Sequence, residues 1–266
     1  MRIESLWVYP LKGCRGVPVT EAVLEPWGLA GDRRWMVVNA DGRFQSQRES
    51  PALATVTASL ERNSIRVSAE GMEPLVVREP VGGGLVPVRV WKGAMHAVLA
   101  APEGSEWFSE LLGADVRMVW LDDPLRRPPR EGTGTLATFS DGFPLLVTNT
   151  ASLDALNDWL VAAGSDPVAM DRFRANLVVD CDEPWAEDEW RELATPNAVL
   201  WNAKPCGRCV VPNTDQRTGV RSGHEPLLTL TRHRRIGNKA IFGANMAPRD
   251  GSANTLLRVG DALTHT

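Results

Sequence analysis

Cysteine is scarce in this chain. Cys14, Cys181, Cys206 and Cys209 are the only four among 266 residues. So few thiols, so unevenly spaced, exclude the disulfide framework of a small secreted protein and point to a reduced, cytoplasmic one. A chain of this length folds as one large or two small domains and buries enough apolar surface without staples. No apolar run approaches the roughly 18 residues of a membrane-spanning helix. The opening Met1-Arg2-Ile3-Glu4-Ser5 has no apolar stretch of the kind a secretory signal needs. Neither sign of charge prevails: 29 Lys and Arg face 33 Asp and Glu, a net charge of −4. A general nucleic-acid binder would be basic. Internal repeats and low-complexity tracts are missing too. Tyrosine is almost absent, one residue against ten tryptophans and six phenylalanines, and the indoles read chiefly as core.

What is present reads mostly as short strands. Leu6 to Leu11 is apolar and carries Pro10. Arg34 to Val38 is β-rich and meets Asp41-Gly42, a hairpin signal, before Phe44 resumes the alternation. Val56, Ala58 and Leu60 alternate, as do Ile65 and Val67, which predicts a second hairpin. Val86, Val88 and Val90 have a period of two. A helix is predicted over Ser105 to Leu112, with Ser105 as its cap and Gly113 just past its end. Val116 to Leu121 is a further strand. In the second half, strands are expected at Pro144 to Val147, Leu177 to Asp180, Ala198 to Trp201, Ala240 to Phe242 and Leu256 to Leu263. Thr150 to Ala163 is predicted as a helix capped by Thr150, Leu227 to Arg234 as a short one, and Asp182 to Glu192 as a loop with a helical turn. The expected fold is mainly β with inserted helices, an α+β chain of two β-barrel-like domains. Asp122 to Gly134 is rich in Pro, Gly and charge. It reads as a linker between domains at 1–121 and 135–266, or as a mobile loop whose Arg126, Arg127 and Arg130 clamp an anion.

The chemistry-bearing stretch is Lys204-Pro205-Cys206-Gly207-Arg208-Cys209. A zinc site needs two more ligands, and His224 and His233 are too far apart for a common finger. A thioredoxin-like pair needs a helix after the first thiol, whereas Val210-Val211-Pro212 reads as extended chain and a stop. A third reading is a thiolate ligand for a soft metal, flanked by Lys204 and Arg208. Spacing alone accommodates two inert cysteines equally well. Lys12, Arg33, Arg174 and Arg208 all fall at the ends of predicted elements, where converging cations suit a phosphate or oxyanion.

Seven segments stand out together: Tyr9-Pro10-Leu11-Lys12-Gly13-Cys14-Arg15-Gly16, Gly31-Asp32-Arg33-Arg34-Trp35, Phe139-Ser140-Asp141-Gly142-Phe143-Pro144, Arg172-Phe173-Arg174-Ala175-Asn176, Lys204 to Cys209, Phe242-Gly243-Ala244-Asn245 and Val259-Gly260-Asp261. Together they resemble the MOSC-domain family, related to the C-terminal domain of molybdenum-cofactor sulfurases. The likeness is strongest to the subgroup that includes the mitochondrial amidoxime-reducing component and bacterial reductases of N-hydroxylated bases. Gly13 stands where the family usually has serine, Ala175 where it has proline, and Phe143 where some relatives have a small polar residue.

The resemblance implies a molybdenum-molybdopterin cofactor held between the two domains. Cys209 is implied as the metal's thiolate ligand. Lys12, Arg33, Arg174 and Arg208 are implied to hold the pterin and phosphate, and Gly13, Gly142, Phe143, Gly207 and Asn245 to line the cofactor. The implied reaction removes oxygen from an N–O bond of a small N-hydroxylated substrate. The chain has neither an iron–sulfur cysteine spacing nor a dinucleotide fingerprint, Gly82-Gly83-Gly84 being a turn. Electrons are therefore expected from a separate flavoprotein or iron–sulfur protein. Asp215, shortly after Cys209, is the candidate proton relay, although Asn213 to Gln216 also reads as a solvated turn. Two competing functions are a sulfur or molybdenum-cofactor carrier using a Cys209 persulfide, and a binding scaffold with inert cysteines.

Overall fold

The computed structural model describes residues 1–266. The fold is mainly β with three inserted helices: α1 (Pro102–Leu112), α2 (Thr150–Ala162) and α3 (Leu227–His233). The largest sheet has nine strands. Its central run places Val199–Gly207, Lys239–Pro248, Leu145–Asn149, Leu177–Asp180 and Arg2–Val8 side by side. The other sheets are smaller and open, and the largest of them joins Trp35–Asn39, Val116–Trp120, Gly93–Leu99 and Leu85–Val90.

The large sheet does not follow the sequence halves. Strand Arg2–Val8 pairs antiparallel with Leu177–Asp180, Leu6 lying opposite Leu177. Glu21–Glu25 likewise pairs with Thr255–Arg258. The cause is burial: Ile3, Leu6, Leu24 and Leu29 are fully buried among Leu145, Val147, Val179, Met246 and Leu257. At about 1.5–3 kcal/mol per buried side chain of this kind, that core outweighs sequence proximity. A second core holds Leu11, Trp35, Ile65, Phe108 and Met118. A third holds Met36, Val38, Phe44, Val119 and Phe139. Phe44 brings that third core to the edge of the cleft described below.

Several expected boundaries shift for local reasons. Helix α1 starts three residues before Ser105, at Pro102, whose missing N–H and fixed φ suit a first helical position. Ser105 Oγ instead accepts from Met118 N at 3.1 Å. Asn149, not Thr150, caps α2, its side chain accepting from Ala151 N at 3.0 Å. Gly113 ends α1 in the left-handed region as expected. The strand expected at Ala198 to Trp201 runs on to Gly207, so it carries Cys206 directly. Residues Val211–Asn213 form a 3-10 turn rather than extended chain, because Asn213 N and Thr214 N donate back to Val210 O and Val211 O.

The arginines of the Pro-rich segment Asp122 to Gly134 are directed to partners within the chain. Arg126 pairs with Asp122 at 2.7 Å on the surface. Arg127 turns inward and donates to the carbonyls of Thr138 and Ser140, the latter at 2.6 Å. Burial pushes its pKa down to about 10. Arg130 lies 4.7 Å over the Phe143 ring. None of the three lines the cleft.

Candidate active-site cleft

One cleft gathers residues from both halves of the chain. Lys12, Gly13, Arg33, Gly142, Phe143, Arg174, Arg208, Cys209 and Asn245 all line it, together with Cys206. Two predicted residues do not. Gly207 faces away: a side chain there would meet Lys239 Cδ at 2.6 Å. Asp215 is outside the lining, its carboxylate held by Arg172 at 3.0 Å and by the backbone N–H groups of Arg217 and Thr218 at 2.9 Å. Those bonds, with Arg172, hold it below the usual carboxylate range against the opposing effect of burial. The relay role expected of Asp215 has no support in this placement, and the turn reading accounts for it.

The cations are positioned by the ends of strands and turns and by the one tyrosine. Arg33 (φ 48°) and Arg174 (φ 59°) both occupy the left-handed region, where non-glycine residues are uncommon. Both pack on the Tyr9 ring, each guanidinium 4.5 Å from its centroid. Its hydroxyl donates to Ala175 O at 3.0 Å. Burial pushes its pKa up to about 12, so it stays neutral beside two charges. Arg33 is paired with Asp32, and Asp32 also accepts from Tyr9 N at 2.8 Å and Asn176 Nδ2 at 3.0 Å. Arg174 donates to Cys14 O at 2.6 Å. Arg208 donates to Phe173 O at 2.7 Å and to Cys206 Sγ at 3.2 Å, while its buried Nε has no partner. Lys12 is paired with Asp141 and lies 4.7 Å over Phe44. Burial works to raise the Asp141 pKa, but the Lys12 ammonium prevails and holds the carboxyl well below its ordinary range. Gly13 (φ +88°) has Leu53 Cδ1 at 3.2 Å from where a Cβ would sit. Glycine suits that backbone, whereas a serine would be strained.

Lys12, Arg33, Arg48, Arg174 and Arg208 thus face the cleft, against the single carboxylate of Asp141. Arg48, Arg174 and Arg208 make no ion pair at all. Leaving buried or half-buried guanidiniums unpaired is unfavourable unless an anion joins them, and their planar forks suit phosphate or carboxylate. Two thiols, Cys206 and Cys209, stand on the same wall. The unpaired arginines, the orphaned Nε of Arg208 and the thiols fit a large anionic group carrying a soft metal. No cluster of three or more His, Cys, Asp or Glu side chains forms a metal cage of its own.

Sequence reading missed Arg48, Gln47, Asn176 and Asp141 as cleft residues. Asp141 and Asn176 sit inside segments already singled out, beside assigned positions. Arg48 and Gln47 lie in Gln45-Ser46-Gln47-Arg48-Glu49, which carries no periodic or motif signal.

Comparison with known proteins agrees with this layout. The profile of the MOSC N-terminal beta barrel domain matches residues 1–115, and that of the MOSC domain matches residues 135–264. Mitochondrial amidoxime reducing component 2 from Rattus norvegicus is 32% identical over 247 residues, covering 87% of this chain and 72% of the relative. Mitochondrial amidoxime-reducing component 1 from Homo sapiens is 29% identical over 91% of this chain and 77% of its own length. Molybdenum cofactor sulfurase from Danio rerio is 30% identical over 97% of this chain, which spans only 33% of that longer protein. With profiles matched in both halves and relatives aligned across most of its length, the chain belongs to the MOSC-domain family.

Proposed function

We propose that this protein is a molybdenum-cofactor-dependent oxidoreductase that reduces N-hydroxylated compounds with electrons from a separate protein. The observation that carries the proposal is the set of unpaired guanidiniums of Arg48, Arg174 and Arg208 beside Cys206 and Cys209 in one cleft. The similarity to amidoxime-reducing components supports the substrate class. When bound, the cofactor would supply a two-electron redox centre able to take oxygen from an N–O bond.

The chain's own residues do the rest. Cys209 would furnish the thiolate ligand. Lys12, Arg33, Arg174 and Arg208 would hold the phosphate and pterin, and the Tyr9 ring packs against two of these guanidiniums. Phe143 and Phe173 form apolar walls that limit water. Gly142 and Asn245 offer backbone and amide groups to the same space. Asp141 stays ionised beside Lys12 and balances that lysine's charge.

The deciding experiment is molybdenum content. Wild-type protein produced with ample molybdate should carry close to one molybdenum per chain, and Cys209→Ser should carry little. Full retention by Cys209→Ser would overturn the proposal. The likeness to a cofactor sulfurase favours a second reading, a carrier using a Cys209 persulfide. Thiol-labile sulfur without tightly held molybdenum would select it. Turnover of an amidoxime with NADH or NADPH and no second protein would refute the need for a separate donor.

A further inference from the structure

Strand Leu85–Val90 turns into Gly93–Leu99 with Val90 opposite Gly93, so only Trp91 and Lys92 make the connection. Trp91 has φ +56°. Glycine, asparagine or aspartate usually takes such a place, and for a bulky aromatic residue it is a true outlier. Trp91 does not offset that strain by burial, being 44% exposed. Its contacts lead to the cleft. Phe44 meets it edge-on with ring centroids 5.2 Å apart. The Arg48 guanidinium lies 4.4 Å over its ring. Its indole N–H also helps keep Asp141 ionised. Phe44, Arg48 and Asp141 all line the cleft. A strained and half-open indole is therefore fixed at the lip of the cleft, where a glycine would have served the turn better. Strain of this kind persists where the side chain has a task.

We propose that Trp91, backed by Phe44 and Arg48, is a stacking subsite that favours aryl and heteroaryl N-hydroxylated compounds over aliphatic ones. The choice of reacting group rests on the reductase reading above. The recognition rests on the lip alone. A conjugated ring gains from the flat indole and guanidinium surfaces, and an amino group beside it finds an acceptor in Asp141. An alkyl compound of the same polarity gains only the second contact.

Two variants test this. Trp91→Gly relieves the backbone, so the hairpin survives while the ring is lost. Trp91→Phe keeps a ring. Binding of benzamidoxime and of acetamidoxime to molybdenum-free full-length protein, followed by ligand-observed NMR, reads the subsite without turnover. Trp91→Gly should weaken benzamidoxime by about threefold to tenfold and acetamidoxime by clearly less, with Trp91→Phe recovering most of the difference. In molybdenum-loaded protein the kcat/KM ratio of the two compounds should shift the same way, the loss lying in KM. Equal weakening of both compounds, or no change in either, would overturn the subsite. If loaded protein reduced neither compound, the reductase reading would fall, and the binding difference would still decide the subsite.

Discussion

Tyr9 shows how much a single side chain does here. Its ring carries two guanidiniums, each 4.5 Å from the centroid. Tyr9→Phe loses one buried hydrogen bond, to Ala175 O, which costs about 1 kcal/mol. The expected fall in Tm is about 2–4 °C, with molybdenum content retained. Tyr9→Leu removes the aromatic ring, and its molybdenum content should fall well below that of Tyr9→Phe. Equal contents in the two variants would show that stacking is immaterial.

Glu187 is the opposite kind of residue. Fully buried, its carboxyl is pushed up to about 6 by burial although Ser152 Oγ donates to it at 2.7 Å. The folded state then binds this proton more tightly than the unfolded one. The associated stability is complete below the ordinary pKa of 4.5 and is lost as pH rises through about 6. The difference amounts to about 2 kcal/mol. Glu187→Gln should therefore melt at or above wild type at pH 7 and flatten the dependence of Tm on pH between those two values. A steeper slope in the variant would contradict this. Arg33, Arg174, Arg208 and Cys209 were legible in sequence as polar residues at element ends and within motifs. Arg48 and Trp91 were not, because a turn tryptophan and an unpatterned arginine acquire meaning only from what lies across the cleft.

At the scale of elements, hydrophobic alternation located most strands, but it did not identify their partners. The hairpin from Thr57–Glu61 to Ser64–Ser68 was plain, since neighbours in sequence pair there. Cap assignment failed at α1 for a tertiary reason: Ser105 spends its hydroxyl on a strand N–H. How the Asp122 to Gly134 segment is anchored was hidden for a related reason, as the carbonyls that recruit Arg127 lie beyond it, at Thr138 and Ser140. Arg127→Ala leaves those carbonyls unpaired next to Asp141, Gly142 and Phe143. Hydrogen exchange over residues 138–143 should quicken at least tenfold, with global stability lowered by about 1–3 kcal/mol. Unchanged exchange there would mean that the arginine is incidental.

For the whole molecule, the central fact is that strand Arg2–Val8 belongs to the sheet of the second half. Domain limits read from composition pass over this exchange, because burial of Ile3 and Leu6 is satisfied by residues far along the chain. Two halves joined this way should melt together. Calorimetry is expected to show one transition, and two separate peaks would contradict the shared sheet. Removing residues 1–8 should abolish the fold of the second half as thoroughly as that of the first. Limited proteolysis would then cut within Leu145–Asn149 and Leu177–Asp180, strands protected in the intact protein.

The same strand sets a timetable for biosynthesis. Leu6 leaves the ribosome long before Leu177, its neighbour in the finished sheet. At about 5–20 residues per second, the wait is roughly ten to thirty seconds. Val17–Val19 can pair with one edge of the strand early, but throughout the wait its other edge and its apolar face have no mate, and a holding chaperone or a crowded polysome competes for them. Yield in the cell is thus governed by how that interval is spent, and slowing translation past Val8 should lower soluble yield without altering the protein that does emerge.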